Sequence, residues 1–256
     1  FFLHTRYDAA GTLLTSIDPL GQGTTYAYDR LGRRTSTTTP DPNGQSGTQM
    51  TTTYAYDLAG NLTSVTDPLS KTTSYTYDDL NFLWTATDPA GTTTYAHDRL
   101  GRQIGLVDAD NNATLWIYDG LGRVTQETDP LSHSRYCQYD ANGNLTRATD
   151  RDGRVIEYTF DALNRRTNEY WYASVSAANA DPNHQNPGRT MDFAYDVMDR
   201  LTSASDPAAE YDYTYQGPGL LTSTVVTLPG TSQIEVTLSS SGVNDYDLNG
   251  RRKALH

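Results

Sequence analysis

The sequence predicts an all-β protein built as a continuous antiparallel meander of hairpins. Three observations carry that reading. An aromatic-Asp pair returns about every 21 residues, a residue that tolerates left-handed backbone stands three places after each Asp, and a second Asp, usually before Pro, falls ten places on. A fixed period of this length identifies a repeat architecture before any local assignment is trusted.

The anchor pairs are Tyr7-Asp8, Tyr28-Asp29, Tyr56-Asp57, Tyr77-Asp78, His97-Asp98, Tyr118-Asp119, Tyr139-Asp140, Phe160-Asp161, Tyr195-Asp196 and Tyr246-Asp247, with a degenerate copy at Tyr215-Gln216. Three residues after each stand Gly11, Gly32, Gly60, Asn81, Gly101, Gly122, Gly143, Asn164, Asp199, Gly219 and Gly250. Backbone with φ > 0 disfavours larger side chains, so D-x-x-G reads as a type I turn closed by a left-handed residue, as in three-residue hairpins with a bulge. The recurring Asp is expected to accept backbone N–H bonds two residues on, a role that involves no catalysis. The return turns are placed at Asp18, Asp67, Asp88, Asp108, Asp129, Asp150 and Asp206, five of them followed by Pro, which presets φ at the second position of a type I or II turn.

Between turns lie about seven residues, a normal strand length. The strand before each anchor reads aromatic-x-aromatic-Asp, as in Tyr26-Ala27-Tyr28, Tyr54-Ala55-Tyr56, Tyr75-Thr76-Tyr77 and Trp116-Ile117-Tyr118. Residues two apart share a strand face, so these rings are expected to form ladders that join one repeat to the next. The structural anchors on this reading are Tyr28, Asp29, Gly32, Tyr56, Asp57, Gly60, Tyr77, Asp78, Tyr118, Asp119, Gly122, Tyr139, Asp140, Gly143, Tyr195 and Asp196.

Composition agrees. Hydrophobic residues make up 36% of the chain and mean hydropathy is −0.64, too little for a conventional deep core. Nineteen Tyr against five Phe and three Trp carry apolar area on rings that keep a hydroxyl in water, which suits a thin wall. A net charge of −12 disfavours nucleic acid as a partner, since that binding draws on clustered Lys and Arg. The single cysteine, Cys137, has no intrachain partner for a disulfide, and no apolar run reaches the roughly 20 residues of a membrane span. The start at Phe1-Phe2-Leu3-His4 shows neither an initiator Met nor a signal-peptide pattern and reads as a processed piece or a fragment.

Tyr54 to Pro68 reads Tyr-Ala-Tyr-Asp-Leu-Ala-Gly-Asn-Leu-Thr-Ser-Val-Thr-Asp-Pro, and the pattern Y-x-Y-D-x-x-G-R-L-T-x-x-x-D-P-x-G resembles that of Rhs (rearrangement hotspot) and YD-repeat proteins over nearly the whole chain. Arrays of this kind in bacterial Rhs polymorphic toxins, the B and C components of insecticidal toxin complexes and teneurins wind a long β-sheet into a hollow shell, which in the bacterial members holds a C-terminal toxin domain. The resemblance therefore implies a spiral or shell-like sheet, secreted or at the cell surface, whose partners are flanking YD-repeat segments, other copies of the chain or an encapsulated toxin domain. The family's D-P-x-G-L-type core segment and a following toxin domain are not found here. Residues 1–256 thus read as one array of shell wall, part of a longer shell, with insertions near 37–53, 168–192 and 217–244. In the second of these, two extended strands and a long polar tip are expected.

Candidate chemistry outside the repeat is sparse. Asp108-x-Asp110-x-Asn112, with Asp119 eleven residues after Asp108, has the outline of a calcium loop, but its sixth position is Ala113 rather than Gly and its twelfth is Asp rather than Glu, so a turn is favoured. His4, His97, His133, His184 and His256 are dispersed, without HExxH, GxSxG or metal-ligand spacing. No catalytic, cofactor-binding or metal residue is therefore assigned. Arg33, Arg102, Arg123, Arg165, Arg200 and Arg251 follow the turn residue and are expected to pair across strands with nearby carboxylates. The alternative to a structural role is a carbohydrate-binding or adhesive module, with Tyr170, Trp171 and Tyr172 its expected contributors because they lie outside the regular array.

Overall fold

A computed structural model describes residues 4–40, 49–217, 219–230 and 233–237. Among the described residues, twenty-one short strands follow one another. The chain divides into two compact units, residues 1–116 and 117–256.

In the first unit each strand pairs antiparallel with the next, from His4–Tyr7 with Leu13–Ile17 through to Gln103–Val107 with Ala113–Tyr118. Register assigns its two faces. Tyr54 opposes Val65, Tyr75 opposes Ala86 and Tyr95 opposes Leu106 on one. The other carries a lattice of hydroxyls, with Thr25 opposite Thr38, Thr38 opposite Thr51 and Thr53 opposite Thr66. Pairs such as Thr38–Thr51 at 2.9 Å and Thr76–Thr85 at 2.6 Å bond directly. Aromatic and β-branched residues suit such half-exposed pleated surfaces.

The second unit continues the same way, from Val124–Thr128 with Ser134–Tyr139 to Leu220–Thr227 with Ile234–Thr237. It departs from a bare meander at the insertion near 168–192. The strand Arg166–Tyr172 runs long, and the chain then forms helix α1 (Val175–Ala180) before rejoining the sheet at Arg189–Tyr195. The expected polar tip is thus partly helical. Ser174 caps it, its Oγ accepting from Ala177 N at 3.1 Å, which satisfies a donor that a helix start otherwise leaves unpaired. Val155, Tyr172 and Ala178 pack together and are buried. With Ala209 they are the buried apolar residues among those described.

The left-handed turn residue is observed at Gly11, Gly32, Gly60, Asn81, Gly101, Gly122, Gly143, Asn164 and Asp199, with φ between 62° and 98°. The degenerate copy differs. Gly217 at φ 59° takes the left-handed position in place of Gly219, because Gln216 brings no carboxylate to build the longer turn and pairs with Leu220 instead. The return turns keep Pro19, Pro68 and Pro130 at the second position, as expected, with the residue two places on donating its N–H to the Asp carbonyl. Gly21, Ser70, Asn111, Ser132 and Gly153 are left-handed as well, so both edges use one Asp-centred turn. Among the described residues only Asp88–Gly91 and Asp206–Ala209 close over two residues, Pro-Ala in both. The copy at Tyr246-Asp247, Gly250 and Arg251, and the loop 41–48, lie outside the described residues.

Candidate functional site

The recurrent residues build one device. Asp29 donates its N–H to the Arg33 carbonyl at 2.9 Å, its own carbonyl accepts from Gly32 N at 3.0 Å, and its Oδ1 accepts from Leu31 N and Arg33 N, both at 2.9 Å. Asp119 repeats this with Leu121 and Arg123, and Asp78 with Leu80 and Phe82. Where the repeat carries Asn, as at Asn61 and Asn144, the side-chain amide reaches Oδ2 of Asp57 and Asp140. The ladder slips by one residue just before each anchor, at Ala27/Tyr28, Ala55/Tyr56, Thr76/Tyr77, Gln138/Tyr139 and Ala194/Tyr195. A bulge beside a type I turn with a left-handed residue produces this slip.

Such donors hold the carboxyls of Asp29, Asp119, Asp140 and Asp196 below the usual carboxylate range. The Arg33 N–H does so most strongly for Asp29 and the Arg123 N–H for Asp119, while the Asn144 amide leads at Asp140 and the Arg200 guanidinium at Asp196. Donors that bond the ionised form favour it.

The arginines pair with nearby carboxylates, as expected, and they also join one repeat to the next. Arg123 Nε bonds its own anchor, Asp119 Oδ2, at 2.6 Å. Its Nη1 then reaches the Asp140 carbonyl of the next repeat at 3.0 Å, and its guanidinium lies 4.5 Å from the centre of the Tyr139 ring. Arg33 treats Asp57 and Tyr56 alike, Arg165 treats Asp196 and Tyr195, and Arg200 reaches Gly217 and Tyr215. The anchor tyrosine completes the joint. Tyr56, Tyr77, Tyr139 and Tyr215 donate their hydroxyls to the carbonyls of Arg34, Leu62, Val124 and Leu201. The Tyr-Asp pair therefore has two jobs, with Asp closing its own turn and Tyr receiving the preceding repeat.

Beneath α1 the structure gathers a second cluster. The Tyr170 and His184 rings stack at 3.9 Å, nearly parallel. The Tyr172 hydroxyl lies 3.0 Å from His184 Nδ1 and 3.2 Å from Asp181 Oδ2, and burial pushes its pKa up to about 12. Glu157 approaches His184 Nδ1 at 3.4 Å and Arg147 at 3.2 Å, and Arg147 also donates to Asn179 Oδ1 on α1 at 2.9 Å. Asp181 accepts from Gln185 N and Asn186 N, both at 2.7 Å. These groups are spent on each other and fasten the insertion to the sheet.

Sequence reasoning missed Arg147, Glu157, Asn179, Asp181 and His184 as a cluster, because contacts between them span up to 32 residues. The aromatic trio near them divides. Tyr172 is buried, Tyr170 is covered by His184, and Trp171 faces the other side of the sheet with its indole N–H on Glu169. At the calcium-like segment, Asp108 Oδ1 accepts from Asp110 N and Asn112 N and Oδ2 from the Asn112 amide, which makes it a return turn.

A profile of the RHS Repeat family matches residues 7–46, 41–70, 56–93, 97–134 and 139–170. The chain is similar in structure to a crystal structure of TcdB2-TccC3-TEV, with a TM-score of 0.53 and 16% identity over 98% of this chain and 15% of that one. It is similar also to TcdB2-TccC3, at 0.53 and 16% over 92% of this chain and 16% of that one. A third likeness is to the Photorhabdus luminescens Tc holotoxin pore carrying TccC3-D651A, at 0.52 and 16% over 92% and 15%. This chain thus spans about a sixth of the length of these structures. None of the curated proteins matches. The matched repeats cover more than half of the sequence and coincide with the Tyr-Asp hairpins just described: the chain belongs to the RHS Repeat family.

Proposed function

We propose that this chain is a section of wall in an Rhs-type shell, a structural and non-catalytic part that encases or displays another polypeptide such as a toxin domain, in a secreted or cell-surface protein. One observation carries the reading: the residues that recur are used to close turns and to couple each repeat to the next, as Arg123 does with Tyr139 and Asp140. A wall needs that and no reacting centre. The turn tips supply a second support. Leu31, Leu100 and Leu121 on the anchor side and Leu20, Leu69 and Leu131 on the return side are strongly exposed, although the turn chemistry makes no demand on those positions. Apolar rows of this kind mark contact surfaces, and further wall segments are the partners that fit a wall.

The test is protease protection of the native full-length product. A polypeptide encased by the array resists digestion while the array is whole and is cut when hairpins are deleted from it. Equal digestion in both forms would refute the encasing role.

A further inference from the structure

The insertion buries few apolar side chains, chiefly Tyr172 and Ala178 against Val155, so its seat on the sheet depends on the polar cluster around His184. That residue sits in left-handed backbone, with φ 54°, a conformation its contacts must hold in place. The elements packed against its imidazole bring titratable groups to it. Glu157, from the strand Val155–Phe160, stands 3.4 Å from Nδ1, and Arg147, from Leu145–Thr149, pairs with that carboxylate. Tyr170 and Tyr172 come from Arg166–Tyr172, and Asp181 closes α1. Asp192, on Arg189–Tyr195, adds its charge beside Tyr170.

Proton and charge counts agree on what this cluster favours. Tyr172 has one hydroxyl proton for two acceptors, Asp181 Oδ2 at 3.2 Å and His184 Nδ1 at 3.0 Å, and burial, which pushes its pKa up to about 12, keeps that proton on it. Asp181 stays ionised. Burial opposes its charge, but the N–H groups of Asn186 and Gln185 outweigh this and hold its carboxyl below the usual range. A bare Nδ1 would turn its lone pair toward the Glu157 carboxylate, whereas a protonated one donates to it and leaves the Tyr172 hydroxyl to Asp181. The neutral ring can place its one proton on Nδ1, yet Glu157 and Asp181 then outnumber Arg147 and a negative charge stays unmatched. A charged imidazole balances it while lying flat on the Tyr170 ring at 3.9 Å, where an aromatic face favours a cation.

We propose that the insertion is a pH-sensitive strap: protonation of His184 locks α1 and residues 181–188 onto the sheet, and loss of that proton loosens them while the hairpin array stays folded. The docked strap binds the proton better than the released one, so its seating is complete where imidazole is charged and fades as pH rises through about 6 to 8. The strap stands independently of the shell reading.

Hydrogen exchange of the whole chain, read by mass spectrometry at about pH 5.5, 6.5, 7.5 and 8.5 with labelling times scaled to the intrinsic rate, tests it. Protection of residues 173–188 is expected to fall by about fivefold or more from the lowest pH to the highest, while that of the strands Leu62–Thr66 and Thr72–Tyr77 changes by less than about twofold. His184→Phe, which keeps a ring against Tyr170 and takes up no proton, is expected to give a flat profile at whatever level of protection it retains. Glu157→Gln, which removes the facing carboxylate, is expected to cut the fall to about half or less. The proposal is overturned if the native chain's protection is independent of pH or rises with it, if the fall persists in full in either variant, or if the array loses protection in parallel.

Discussion

Residues 4–116 and the segment 155–188 solve the same problem with different means. In the first, both sheet faces remain at least partly in water, and the described residues include no buried large apolar side chain. Cohesion there comes from many small, repeated joints: the Asp-centred turn, the ring face and the hydroxyl pair. In the second, one helical turn and a polar cluster cover a patch of sheet and bury Val155, Tyr172 and Ala178. The difference teaches that this architecture does not depend on a deep core. A local core appears where an insertion folds back.

The comparison breaks first at Tyr172. Tyr172→Ala is expected to cost about 3 kcal/mol, since it empties a buried site and strips Asp181 and His184 of a partner. Tyr75→Ala, on a half-buried ring of the bare sheet, is expected to cost about half as much. Equal shifts of the urea midpoint in the two variants would show that the insertion adds no local core.

The turn is next. At Gly32, φ is 75° and an added Cβ would meet nothing within 4 Å, so substitution there reads backbone strain alone. Gly32→Val is expected to lose about 1–2 kcal/mol and Gly32→Asn only a few tenths, because Asn enters the left-handed region and a β-branched residue does so at a cost. Chemical denaturation measures both. Similar losses for Val and Asn would refute the strain argument.

A smaller effect belongs to the joint between repeats. Arg123 and Asp119 are each about one-quarter exposed, so solvent screens their pairing. Arg123→Gln is expected to cost about 1 kcal/mol, mostly through the lost stacking on Tyr139 and the bond to the Asp140 carbonyl. Arg123→Lys recovers little, because an ammonium does not supply the planar fork. A double-mutant cycle with Tyr139→Phe and Tyr139→Leu separates the ring contribution from the hydroxyl contribution.

The smallest single-site effect is in pH. Folded-state values of Asp29, Asp119, Asp140 and Asp196 lie below the unfolded carboxylate value of about 3.9. For a depressed carboxyl the stabilisation is complete above the unfolded value and is lost as pH falls through the folded one. Thermal midpoints should therefore hold steady down to about pH 4 and fall below it, and Asp119→Asn should reduce proton uptake on acid unfolding. A midpoint that begins to fall near pH 6 would assign the loss to other groups.

Much of this was legible in the sequence because it is local. The Asp-x-x-Gly turn is settled within five residues, so its recurrence gave the hairpins, their period and the left-handed positions directly. Reading the strand alternation then gave a face to each ring. One further feature had a local signal that went unread: the Ser174 cap before an Ala-rich stretch.

The sequence by itself thus determined the repeat, its turns and the all-β class, because each rests on backbone preferences of a few adjacent residues. Only the tertiary structure decided that Arg123 serves Tyr139 of the next repeat, that Arg147, Glu157 and His184 fasten the insertion, and that Tyr172 rather than Trp171 is buried. Those contacts join residues brought together by register and fold-back, and spacing along the chain does not encode the distances between them.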